Sequence, residues 1–363
     1  IIDAALLAID ELNEKEGLLG RQVHPYVQEI HPNDEAFYSA AESLITQDKV
    51  EAVFSCWTST CSKASINVFE EKNHLLYSIS QHAGMKSSQN VIYVGATPNQ
   101  QVLPALEWVF NDIGNRVYLV GSDYLYPHIT NEIVKDQVHL WRGEIVGESY
   151  VPLGHTAFDD IAQDIVDTKP SVIFSTIKGS SNRFFIQSLR RSGITPQDTP
   201  TFSFSVSEQE LTQYHDIYIQ GDYLVWNYLQ KLDNPINEAF VQRFKGRYGK
   251  DRVIDSPMVN AYLSIHLWAK AVQRTDSSNV TKVLKNAVDI SLQGPSGMVY
   301  IESKTQHTWK TMHIARINQN NQLESIWHSD IPIEPESFPK TRSKLEWLHY
   351  MESFGDEPSN KPH

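Results

Sequence analysis

The chain has 363 residues, more than a single hydrophobic core usually serves, so two lobes are expected. Its 40% hydrophobic and 21% charged residues are the proportions of a globular protein, and no apolar run nears the roughly 20 residues of a membrane span. Lys and Arg number 31 against 44 Asp and Glu, and the resulting net charge of -13 repels phosphate backbones and argues against a nucleic-acid partner.

The first element is a predicted helix, Asp3 to Leu18, with Ala5, Leu6, Ile9, Leu12 and Leu18 at helical spacing and a stop at Gly20. No strand precedes it. A strand (Val23 to Ile30), a helix (Asp34 to Gln47) and the apolar run VEAVFS follow. Helical patterns at Ser62–Asn73, Gln100–Ile113, Tyr126–Trp141, Phe158–Asp167 and Arg183–Ser192 then alternate with strands HLLYSI, VIYVG, VYLVG, EIVGESY, SVIFST and TFSFS. Such alternation implies parallel sheets with right-handed crossovers, an α/β fold. After Phe204 come a strand at Asp222–Trp226 and helices at Pro235–Tyr248, Pro257–Arg274 and Asn279–Ala287. Two closing strands, Thr311–Ile317 and Leu323–His328, precede a tail that is proline-rich from Ile331 and helical near Ser343–Met351.

The apolar runs stop abruptly in small polar or aromatic residues: Cys56-Trp57-Thr58-Ser59, Ser78-Ile79-Ser80-Gln81-His82, and Gly121-Ser122-Asp123-Tyr124. These stops place hydroxyls, an amide and rings at the carboxyl edge of a parallel sheet, where open α/β folds bind ligands. Each has a plainer reading. Ser59 can cap the next helix, Asp123 can hold its own turn, Trp57 can be a core aromatic, and one of Tyr124 and Tyr126 can pack beneath the other. Cys56 and Cys61 are compatible with a short-loop bridge or with two free thiols.

Enzyme patterns are thin. Ser175 and Lys178 match serine-x-x-lysine, but that chemistry needs the serine at the start of a buried helix. There is no phosphate loop, no nucleophile elbow and no zinc-protease pair, and His307 with His313 makes at most a partial metal site. Asn279-Val280-Thr281 fits a glycosylation acceptor but reads as a loop before a helix.

Seven blocks in order carry a resemblance: CWTS at Cys56, GATPNQQ at Gly95, GSDYLYP at Gly121, FSTIKGSSN at Phe174, SFSVSEQE at Ser203, SPMVNAYLSIHLWAKAV at Ser256 and QHTWKTMHIARI at Gln306. Together the chain resembles the type I periplasmic-binding family, in its urea and short-chain amide branch, from Asp3 to about Pro335. The resemblance implies two Rossmann-like lobes with parallel central sheets, three hinge crossings and one solute trapped between the lobes, with no catalysis and no cofactor. It implies a first part of lobe 1 over 1–113, a first part of lobe 2 over 114–250, a return to lobe 1 over 251–305, hinge and closing strands of lobe 2 over 306–335, and a tail over 336–363. Members of this family begin with a strand that the chain does not show ahead of its first helix, so the first strand of lobe 1 is expected to be missing.

Carried over by position, Trp57, Thr58 and Ser59 match the first-lobe ligand loop, Tyr124 and Tyr126 match the loop facing it, and Ser78 to Gly84 match a second first-lobe loop, including Ser80. Gln81 and Gly84 keep the pattern of urea binders. Ser78 and His82 replace tyrosines, Ala83 and Val259 replace glutamates, and Lys178 replaces an asparagine. These changes remove acceptors that a donor-rich urea needs and add positive charge. The expected ligand is therefore a small polar solute, an amide, a urea-like molecule or, as these changes favour, one richer in acceptors such as a small carboxylate, an amino-acid derivative or an amidated acid, with Lys178 or His82 near its negative end. A periplasmic, extracytoplasmic location and delivery to the membrane permease of an ABC importer follow from the resemblance. The rival outlet is a transmembrane signalling receptor, towards which the tail from Thr341 leans, and an amidase is the third reading. The oligomeric state stays open.

Overall fold

The computed structural model describes residues 1–30, 34–55, 66–85 and 88–353. Two sheets built largely of parallel strands divide these residues into two lobes. Lobe 1 holds β1 (Val53–Ser55), β2 (Leu76–Ser78) and β3 (Val91–Tyr93), paired in parallel in that order. Around them lie α1 (Ile2–Asn13), α2 (Asp34–Thr46) and helical residues 66–71, here α3.

The chain crosses into lobe 2 at Val94–Thr97, just ahead of α4 (Pro98–Asp112). Thr97 and Gln100 form a reciprocal cap that starts α4 there, and its Val102, Ala105, Leu106 and Val109 are buried in the core of the second sheet. Lobe 2 continues through β4 (Arg116–Ser122), α5 (Leu125–Leu140), β5 (Glu144–Val151), α6 (Asp159–Thr168), β6 (Val172–Thr176), α7 (Ser181–Arg191), β7 (Thr201–Ser203), the short α8 (Glu208–Leu211) and β8 (Tyr223–Trp226).

The second crossing follows Trp226. α9 (Pro235–Tyr248), α10 (Ser256–Thr275) and α11 (Val280–Asn286) return to the lobe 1 core, where Phe240, Phe244 and Leu263 pack with Leu7, Leu75 and Ile92. α9 and α10 both start at a side-chain cap, Asn234 and Asp255, followed by a proline in the first turn. α10 buries residues on every side, as a helix enclosed by its lobe must.

A small antiparallel sheet follows, β9 (Ser291–Gly294), β10 (Gly297–Ile301) and β11 (Thr308–Trp309), which the sequence reading missed. After a third crossing, β12 (His313–Ile317) and β13 (Leu323–His328) complete the seven-stranded sheet, ordered β13-β12-β8-β7-β6-β4-β5. Residues 331–343 then run over the surface to α12 (Lys344–Ser353).

One predicted strand fails. Val23–Ile30 forms no ladder. A cavity of about 1030 Å³ lies between this segment and β1, lined by Ile9, Leu44, Phe54, Ile265 and Trp268 among others. A strand needs a neighbouring edge within about 5 Å, and this segment faces β1 across the cavity. Tyr26 and Val27 accordingly stay exposed. Among the described residues no strand precedes α1, and β1 is an edge of its sheet.

Candidate ligand-binding cleft

In lobe 2 the carboxyl ends of β4, β6 and β7 lie side by side because these strands pair in parallel. Their loops are hydrogen-bonded to one another. Ser122 Oγ accepts the Lys178 amide at 2.9 Å, Ser205 Oγ donates to the Ile177 carbonyl, and Ser203 Oγ accepts the Val206 amide at 3.0 Å. Lobe 1 presents residues 78–82 after β2, held by the Ile79 amide on Ser55 O (3.2 Å), the His82 amide on Ala96 O (3.1 Å) and Asn260 Nδ2 of α10 on Ile79 O (3.0 Å).

The two edges meet at Gln81. Its side-chain amide donates to Gln101 Oε1 of α4 and, at 3.1 Å, to the Phe204 carbonyl just past β7, while Gln101 Nε2 donates to Val225 O. Gln81 therefore spans the lobes and its amide group is engaged by protein.

Lys178 is half-buried in the second-lobe loop. Burial lowers its ammonium pKa, against which Glu210 of lobe 2 and Asp255 of lobe 1 pull upward. Glu210 and Asp255 are themselves raised, chiefly by burial, with Lys178 acting to lower both. Burial also pushes Glu208 up to about 7, against the Gln230 amide it accepts at 2.8 Å. The sequence reading missed these carboxylates. Two local signals mark them: the Ser207–Glu210 capping box and the Asp255 cap of α10. Lys178 thus lies within electrostatic reach of one carboxylate from each lobe, and Glu208 within reach of Asp255.

The remaining candidates divide. Ser78 and Ser80 are buried, and their hydroxyls have no hydrogen-bond partner among the described residues. Tyr124 stands in extended conformation as the residue that starts α5, and burial raises its phenol pKa. Tyr126 is 6% exposed and packs with Ala83, Met85, Ile129, Ile133 and Trp347 in an apolar cluster against which Tyr124 also lies. Burial pushes its phenol up to about 12.

His82 also turns inward, its ring centroid 4.6 Å from that of His307 and 5.1 Å from that of Tyr93. Burial, with His307 adding to it, holds its pKa well below 6.5. The expectation that His82 supplies positive charge is thereby corrected: the ring is neutral, its Nδ1 accepting the Gly84 amide at 3.1 Å. Trp57, Thr58 and Ser59, like Cys56 and Cys61, lie outside the described residues.

Ser175 sits within β6 and not at a helix start, which removes the geometry that serine-x-x-lysine chemistry requires. His313 is buried on β12 with its partner ring His328, 5.8 Å away. Among the described residues no group of three metal-ligating side chains gathers, and no helix is long and apolar enough to cross a membrane.

Residues 1–344 match the family model described as a periplasmic binding protein domain. Among curated proteins, Leu/Ile/Val-binding protein homolog 6 of Brucella abortus (strain 2308) is 23% identical over 185 residues, 48% of this chain and 46% of that protein. A limonene hydroxylase of Geobacillus stearothermophilus is 32% identical over 149 residues, 39% of this chain and 27% of that protein. The chain thus spans less than half the length of these curated relatives.

Among solved structures, the solute binding protein of an ABC transporter from Rhodopseudomonas palustris HaA2, in complex with p-hydroxybenzoic acid, superposes with a TM-score of 0.83. It is 20% identical, over 91% of this chain and 93% of that one. The branched-chain amino acid transporter substrate binding protein LivJ from Streptococcus pneumoniae, in complex with isoleucine, gives 0.79 at 20% identity over 91% and 93%. At such identity the likeness shows the fold, and both partner solutes are small carboxylic acids. The parallel-sheet lobes, the hinge crossings and the match over residues 1–344 together assign the chain to the periplasmic binding protein family, with its type I fold.

Proposed function

We propose that the chain captures a small carboxylate-bearing solute, most suitably a zwitterion such as an amino acid or its derivative, in the cleft between the lobes. The observation that carries this reading is Lys178 set among Glu210 and Asp255 from opposite lobes. A solute carboxylate pairs with the ammonium, a solute amine pairs with the carboxylates, and closure desolvates both contacts. The buried hydroxyls of Ser78 and Ser80 add hydrogen-bonding capacity on the lobe 1 side. Urea and simple amides, which the resemblance first suggested, lack the charge to answer this arrangement, and the solutes named with the similar structures are benzoates and amino acids.

The family context supports an extracytoplasmic solute-binding component that hands its cargo to an ABC permease. A second outlet, a transmembrane signalling module that reads closure, draws support from residues 331–353, which touch both lobes.

Isothermal titration with L-isoleucine, 4-hydroxybenzoate, benzoate, urea and acetamide tests the reading. A carboxylate from this panel should bind, and Lys178→Met should weaken it by about tenfold or more, as expected for a charged hydrogen bond of about 1.5–3 kcal/mol. Tight urea binding with no response to any carboxylate overturns it.

A further inference from the structure

Residues 331–353 do more than trail across the surface. At the hinge, Ile333 pairs with Lys310, and Gln100 Nε2 of α4 donates to Ile333 O at 2.8 Å. Asn99 at the start of α4 clasps the next turn from both sides, its Nδ2 donating to Glu334 O (2.8 Å) and its Oδ1 accepting the Glu336 amide (2.9 Å). The segment then reaches the lobe 1 ligand loop, where Ser337 O accepts the Met85 amide at 2.6 Å.

Gly84 makes that approach possible. A Cβ there would stand 2.6 Å from Ser337 O, and its φ of +75° is one that glycine adopts without strain. The Gly84 amide in turn donates to His82, so the strap contacts the same loop that carries Ser80 and Gln81.

Beyond Ser337 the segment locks onto α5 of lobe 2. Arg342 reaches Glu132 and, at 2.7 Å, Asp136, and its guanidinium lies 4.7 Å from the centre of the Trp347 ring. Trp347 is fully buried, its indole N–H donating to Pro339 O at 2.9 Å. Its cluster contains Ala83 and Met85 from lobe 1 together with Tyr126, Ile129 and Ile133 from lobe 2. A cluster drawn from both lobes and the strap cannot persist unchanged when the lobes part.

We propose that residues 331–353 form an interlobe latch, anchored on α5 by Arg342 and Trp347 and engaged with the ligand loop at Gly84 and Met85, that favours the closed arrangement of the lobes. Opening strips Ala83 and Met85 from the Trp347 cluster and breaks the Met85–Ser337 hydrogen bond. A solute that favours closure therefore also favours strap docking, and by linkage strap docking raises the affinity for that solute.

The test needs no identified solute. Small-angle scattering on the ligand-free full chain, wild type against Trp347→Ala and Arg342→Gln, reads lobe opening, and hydrogen exchange over residues 344–353 reads strap docking. The latch predicts protection of 344–353 in the wild type, its loss in the variants, and a shift to a larger radius of gyration. Arg342→Gln removes no core side chain and stands in should Trp347→Ala fail to fold. Loss of protection with an unchanged radius overturns the latch, and so does free exchange of 344–353 in the wild type. The inference rests on the lobes being able to separate and not on which solute they hold. A chain that opens on strap release yet binds nothing in the titration panel keeps the latch and removes the solute reading.

Discussion

The two lobes repeat one strand–helix pattern but hold their ligand loops differently. In lobe 2, β4 runs for seven residues and β6 for five, almost wholly buried, inside a seven-stranded sheet. Its loops are braced by their own neighbours through Ser122, Ser203 and Ser205. In lobe 1 each of β1, β2 and β3 has three residues, and a large apolar cavity adjoins β1. Its loop at 78–85 keeps one tie to its own sheet, the Ile79 amide on Ser55 O, and is otherwise braced by Asn260 of α10, Ala96 of a crossing and Ser337 of the strap. Lobe 2 is thus a preformed face, and lobe 1 is a face whose shape depends on the hinge.

The widest separation between the lobes should appear in core truncations. Phe174 is 1% exposed and packs against Phe202 and Phe204, so Phe174→Ala should cost about 3–5 kcal/mol in denaturant unfolding. A cost under about 1 kcal/mol would mean that lobe 2 is as loosely packed as the cavity side of lobe 1.

The hinge carries the next effect. Lys310 is buried, donating to Asn260 Oδ1 at 2.7 Å, and burial lowers it from 10.5 to about 7. Between these values the unfolded chain holds a proton that the folded chain has lost. Stability should therefore rise with pH over that window, with a slope of at most about 1.4 kcal/mol per pH unit. Lys310→Met should remove this slope, measured as the difference in unfolding free energy at each pH. An identical slope in both proteins would assign the titration to another group.

A smaller effect tests the cavity itself. Ala41 lines it from α2, and Ala41→Ile should be neutral or stabilising by up to about 1 kcal/mol, whereas added methylenes in a filled core cost about 1–3 kcal/mol. A cost in that second range would show that the lobe 1 cavity resists filling and would erase the contrast in packing.

Acid should give the smallest change. Burial raises Glu132, but hydrogen bonds from Lys135 and Arg342 outweigh it and hold the carboxyl below its ordinary value of 4.5. A carboxylate lowered in the folded state contributes stability above that ordinary value and loses it as pH falls through the depressed one. Strap docking should weaken only in that acid range, read as faster exchange over 344–353 after correction for intrinsic rates. Weakening near neutral pH would point to a different anchor.

Much of the frame was legible because period and punctuation agree. Asn234-Pro235 and Gly249 bracket α9, and the apolar runs of β4 and β6 have the continuous character of strands buried on both faces. Val23–Ile30 misled because composition reports the capacity to be a strand, not the presence of an edge to pair with. The hairpin of β9 and β10 was missed because its SLQGPSGMVY run offers few alternating residues.

At the cleft, Lys178 was singled out by its position after a strand, and its role towards a solute is the proposal made above. Glu210 and Asp255 were not singled out, because capping residues are common and only the fold brings these two towards one ammonium. His82 was misjudged for a similar reason. The sequence shows an imidazole beside a loop but not the His307 ring that packs against it.

The three crossings are joined to one another by side-chain amides. Gln100 of α4, just past the first, donates to Thr308 O of β11, just ahead of the third; Asn227 of the second donates to Thr311 O of the third; and Gln101 of α4 donates to Val225 O beside the second. Three separate linkers could twist or shear independently. Linkers pinned together in this way have fewer independent motions than three separate ones. Gln100, Gln101 and Asn227 thereby tie the lobe that carries Lys178 to the lobe that carries Asp255.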